Sequence, residues 1–88
     1  MNTIFLLMAQ YDAAAIIPID KVCADYFSPL TPETLKRKIA SGEIDLPLIR
    51  LGNTQKSARG VHLCDLASYI DEQRAKARRE HEKLMKHR

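Results

Sequence analysis

A chain of 88 residues and 10.0 kDa has room for one domain, and its two cysteines are too few for a disulfide framework. No apolar stretch reaches the roughly 20 residues that span a bilayer, and the opening run at residues 4–9 has no basic residue before it, so neither a membrane span nor a signal peptide is expected. The formal charge of +3 is modest but uneven: residues 1–44 hold four Lys/Arg against five Asp/Glu, residues 45–88 ten against six, an excess that suits a polyanionic partner.

From Thr3 to Tyr11, apolar residues at 4, 7, 8 and 11 have helical spacing, but Phe5 and Leu6 fill the gaps, so helix and strand both remain open. A stretch apolar on nearly every side needs cover, from its own core or from a second copy. Residues 15–19 read as a short extended piece, because Pro18 drives its predecessor towards β or polyproline geometry. Asp20 is expected to cap a helix to about Tyr26, with Val22, Cys23, Tyr26 and Phe27 turned inward. Ser28-Pro29-Leu30 interrupts it, and Thr31-Pro32 restarts a helix to about Ser41. The Thr oxygen can accept from free amides there, Pro loses no hydrogen bond at the first position, and Gly42 suits the left-handed end. Residues 47–50 and 60–63 read as two short strands around a polar loop, residues 51–59. A last helix starts at about Cys64, taken as its N-cap, with Leu66, Ala67 and Ile70 on one side. Beyond Asp71 its large apolar residues thin out, leaving solvated turns or a partner surface.

The predicted fold class is therefore mainly α with a small β-hairpin: a winged helix-turn-helix with an N-terminal apolar segment and a long C-terminal helix. Residues 1–75 form the DNA-binding domain and residues 76–88 a basic helical extension or tail. In such a fold the second helix of the turn presents its outer face to a major groove roughly 12 Å wide. On a wheel with Leu35 and Ile39 inside, Glu33, Thr34, Arg37, Ala40 and Ser41 lie opposite, flanked by Lys36 and Lys38. A central Arg among small or hydrogen-bonding groups fits base edges, and the lysines fit phosphates. Amides at Thr31 favour a phosphate oxygen. Arg50 and the loop residues Gln55, Lys56, Ser57 and Arg59 complete a wing, residues 51–60, for the minor groove or the backbone.

Residues 1–11, Ile17-Pro18-Ile19, residues 22–27, residues 30–33 and the run Gln55-Lys56-Ser57-Ala58-Arg59-Gly60-Val61-His62-Leu63 resemble the pyocin activator protein PrtN family, the last run most specifically. The resemblance extends to about residue 75. It implies a bacterial or prophage transcriptional activator that binds promoter elements of bacteriocin or phage-tail-like genes, with kinship to excisionase-like winged helices.

Other chemistry finds little support. His62, His81 and His87 lack partners at ligand spacing, so no metal is expected. No nucleophile–base pair or phosphate loop appears, so neither an enzyme nor a cofactor site is expected. Cys64 reads as an ordinary reduced thiol, and Tyr11, Tyr26 and Tyr69 as core residues with hydroxyls at the rim. The expected partners are double-stranded promoter DNA, a second copy held through residues 3–11, and RNA polymerase, in a cytoplasmic setting. An architectural DNA-bending protein and an adaptor for an acidic protein are the competing readings.

Overall fold

In the computed structural model, which describes residues 2–53 and 58–86, seven elements follow one another. They are α1 (Thr3–Gln10), β1 (Ile16–Pro18), α2 (Ile19–Tyr26), α3 (Pro32–Ala40), β2 (Ile49–Arg50), β3 (Arg59–His62) and α4 (Leu63–Lys86). Four helices around a small antiparallel sheet form the expected winged helix.

The N-terminal segment is a helix. Asn2 Oδ1 accepts from the Ile4 amide at 3.1 Å, and the Tyr11 amide closes the far end on the Leu7 carbonyl. Asp12 and Ala13 then turn the chain at φ 56° and 60°, left-handed values that disfavour a residue with a Cβ. The extended piece that follows is a strand of the sheet. Its order is β1-β3-β2, with Ile17 opposite Val61 and Pro18 opposite Gly60. Pro18 is tolerated because β1 is an edge. Gly60 is required because a Cβ there would lie 2.6 Å from the Ile17 carbonyl oxygen and 2.7 Å from Ile16 Cγ2.

Four local expectations need correction. Helix α2 begins two residues early, at Ile19 directly after Pro18, so Asp20 lies in its first turn and makes no side-chain cap. Tyr26 is not turned inward but is 39% exposed, with Val22 and Cys23 filling the inner side. The strand expected over 47–50 is reduced to Ile49–Arg50: Leu46 is buried ahead of it, and Pro47 has no amide to give a ladder. Helix α4 starts at Leu63 rather than Cys64, and the cap is His62, whose Nδ1 accepts from the Cys64 amide at 3.0 Å.

The core lies where α1, α2, α3 and α4 meet one face of the sheet. Ile17, Val22, Leu35, Val61 and Leu66 are its most deeply buried large side chains, with Leu7, Ile19, Leu46 and Leu63 around them. Leu35 anchors α3, while Leu63, Leu66 and Ala67 anchor the first turns of α4. The rest of α4 runs beyond this core. The radius of gyration, 15.0 Å, exceeds the ~12 Å of a compact chain this long, and the long dimension is 54 Å. Among the described residues no helix is long and apolar enough to cross a membrane.

Candidate nucleic-acid interface

Local chemistry sets both ends of α3. Thr31 Oγ1 accepts from the Thr34 amide at 3.2 Å and donates to Thr34 Oγ1 at 3.0 Å. At the other end the Ser41 amide bonds the Arg37 carbonyl, and Gly42, at φ 81°, lets its amide reach the Ile39 carbonyl at 3.1 Å. The chain packs this helix on α2, and α2 on β1 and β3, so one helix braces both the outer helix and the sheet.

The wheel drawn from sequence is found except at Thr34, which is expected on the exposed face but is half-buried beside the Thr31 cap. Leu35 is buried and Ile39 half-buried; Glu33, Arg37, Ala40 and Ser41 are exposed; Thr34, Lys36 and Lys38 are half-buried at the flanks. Lys36 lies 3.0 Å from Glu33 and Lys38 2.5 Å from Glu43. Among the described residues Arg37 takes part in no ion pair, so its guanidinium is the uncommitted cation at the centre of this face. Exposed pairs of this kind are worth only about 0–1 kcal/mol, so a phosphate can displace Glu33 or Glu43 at little cost. Two of the expected contacts are otherwise engaged. The Thr31 hydroxyl serves the cap, and the Ser41 hydroxyl donates to the Lys38 carbonyl at 3.0 Å while accepting from the Glu43 amide.

The second cationic group is at the root of the hairpin. Arg50 on β2 is directly opposite Arg59 on β3, and the Leu51 amide bonds the Ala58 carbonyl at 2.9 Å one step further out. Opposed residues of an antiparallel pair share a face with Cβ atoms about 4.5–5.5 Å apart, and like charges there are destabilising. An anion lying across the pair removes that repulsion. Gln55, Lys56 and Ser57, expected at the tip, lie outside the described residues.

A polar network unseen in the sequence ties α1 to α2. The Tyr11 hydroxyl donates to Asp25 Oδ2 at 2.6 Å, and Tyr26 donates to Gln10 Oε1 at 2.5 Å. Burial, then the bond to Asp25, pushes the Tyr11 phenol well above its ordinary pKa. Burial also raises Tyr26, Tyr69 and the Cys23 thiol, whose Sγ donates to the Leu30 carbonyl. These groups stay protonated and structural near neutral pH. Their separations of 14 and 16 residues follow no periodicity, so no local signal marks them.

Among the described residues no cluster of three or more metal-ligating side chains occurs. One groove, about 480 Å³, lies between residues 45–47 and α4, with Asp45, Asp65 and Glu72 along it. Lys76 lines it as well, and Glu72 is paired with Arg79 at 3.6 Å, so its lining is mixed in charge, unlike the cationic hairpin root.

The family model described as pyocin activator protein PrtN matches residues 3–77, which takes in every element except the end of α4. No curated protein and no solved structure matches the chain.

Proposed function

The chain belongs to the pyocin activator protein PrtN family, a family of regulatory activators, and on that premise we propose that it is a sequence-specific DNA-binding activator of bacteriocin or prophage genes. Residues 31–41 enter the major groove, and residues 51–60 touch the minor groove or backbone. The observation that carries this reading is Arg37, exposed and outside the described ion pairs on the side of α3 opposite Leu35. An Arg so placed reads guanine bidentately, while Lys36 and Lys38 exchange their carboxylates for phosphates. The opposed Arg50 and Arg59 support a backbone contact by the wing.

In this reading residues 1–75 are the DNA-binding unit and residues 76–88 an extension. Two copies bind together through residues 3–11 in the cytoplasm, and the bound pair contacts RNA polymerase. A gel-shift titration at one fixed salt concentration tests it, using a promoter fragment from upstream of bacteriocin genes and its scrambled counterpart. The promoter fragment should bind at least about tenfold more tightly, a preference near the ~1.4 kcal/mol that such a ratio represents. Equal affinity for both fragments reassigns the protein to an architectural role, and no shift with either makes it an adaptor.

A further inference from the structure

Helix α3 carries one carboxylate on the side that the reading above turns towards DNA. Glu33 lies in the first turn with its side chain 84% exposed, on the outer side that Arg37 also occupies. Four residues separate the two, which places them within about 40° of each other round the axis and roughly 6 Å apart along it. A Glu four residues ahead of a basic residue is the favourable order for a helical ion pair. That pair is not made: Glu33 Oε1 turns to Lys36 at 3.0 Å, and Arg37 takes part in no ion pair among the described residues. The Lys36 bridge is exposed at its acidic end and exchanges readily.

The dipole of α3 favours an acid anywhere in its first turn. It does not require one on the side that meets DNA, where every phosphate repels it. An ionised carboxylate accepts hydrogen bonds and donates none. In the major groove guanine shows N7 and O6, and thymine O4, all of them acceptors that repel a carboxylate. Adenine shows its N6 donor beside the N7 acceptor. Of the four bases, cytosine alone shows a donor, N4, and no acceptor of its own. Arg37 has the reverse pattern, donors only, and fits O6 and N7 of guanine.

We propose that Glu33 is a specificity residue that accepts from the N4 amino group of a cytosine while Arg37 holds a guanine of a neighbouring base pair. The separation along the helix, roughly 6 Å, covers about two steps of the DNA at roughly 3.4 Å each, so the two pairs lie within about two positions of one another. Leaving Lys36 frees that lysine for a phosphate. Opposite guanine or thymine the same carboxylate meets only acceptors, so it rejects the wrong site as well as favouring the right one. The inference rests on the placing of α3 in the major groove proposed above and adds the base pairs selected there; it does not depend on self-association.

Base selection by the full chain tests it. Glu33→Gln keeps the shape and the helix propensity of the side chain and adds an amide donor, and glutamine pairs bidentately with adenine N6 and N7. Duplexes are selected from a randomised pool at one fixed salt concentration, and the selected site and its single base-pair variants are titrated by gel shift. The unmodified chain should select a cytosine within about two positions of a guanine that belongs to another base pair. Glu33→Gln should lose about tenfold or more of the preference at that cytosine, take adenine there instead, and keep the guanine. Arg37→Ala should lose the guanine and keep the cytosine. A selected site without the cytosine, or base preferences unchanged in Glu33→Gln, overturns the proposal. Glu33 is then a helix-dipole residue, and sequence-specific binding by α3 stands. A Glu33→Gln loss at both positions also overturns it, because Glu33 then acts through Arg37. No enriched sequence with the unmodified chain overturns the sequence-specific reading and this proposal together.

Discussion

The first turns of α4 and its last turns belong to one unbroken helix, yet different forces hold them. Leu63, Leu66 and Ala67 are buried in the core, and Ile70 packs against it. From Arg74 to Lys86 every residue but Ala75 is exposed, and the ion pair between Arg79 and Glu72, at 3.6 Å, is the one bridge this helix makes among the described residues. The outer half relies on its Ala, Arg, Glu and Lys content, each a good helix former. Isolated helices of this length are marginal in water, because most helical stability in proteins comes from packing an apolar face. Helix can therefore extend beyond a core, but it is held there only as firmly as something covers it.

The largest test of that contrast is a matched pair of truncations. Leu66→Ala should lower unfolding stability by about 2–5 kcal/mol, the range for deleting a buried Leu side chain. Leu84→Ala, measured on dissociated chains by the same urea titration, should change it by less than about 0.5 kcal/mol. Equal losses would mean that the tail is packed on its own body.

Gly60→Ala comes next, extending the contrast to the sheet. The added methyl meets the backbone of Ile17 rather than a yielding side chain, so a loss of about 1–3 kcal/mol is expected. Gly42→Ala meets no atom within 4 Å and should cost only the strain of its left-handed φ, about 1 kcal/mol.

On the DNA side, Arg37→Ala should remove about 1–3 kcal/mol of preference for promoter over scrambled DNA, with little change in non-specific affinity. Replacing Lys56 and Arg59 by Ala should weaken binding to both DNAs and flatten the salt dependence by roughly 0.9 per lost phosphate contact. An unaltered slope would take the wing off the DNA.

The smallest effect concerns pH. Tyr11, Tyr26 and Tyr69 have phenols raised above the unfolded value near 10. The native state therefore keeps protons that the unfolded chain releases. Their contribution is fully present below pH 10 and declines as pH rises through the folded values. The melting temperature should fall between pH 9.5 and about pH 11.5, and less steeply in Tyr11→Phe, followed by circular dichroism. A Tyr11→Phe profile parallel to the wild type would leave Tyr11 out of the effect.

The sequence by itself determined the elements whose signals are local. Thr31-Pro32 and Gly42 bound α3 within a residue, because a cap is made by neighbours in the chain. The Leu35 side follows from a period of 3.6, so the exposure of Glu33, Arg37, Ala40 and Ser41 was legible before any packing was known, while that of Thr34 was not. Tertiary structure alone decided the rest. It made residues 3–10 a helix with one covered side and joined β1 to β3. It also turned Tyr26 outward, paired Tyr11 with Asp25, and gave His62 the cap expected of Cys64. Each of these depends on a surface brought up from a distant part of the chain, and a polar or apolar residue carries no mark of which distant surface will meet it.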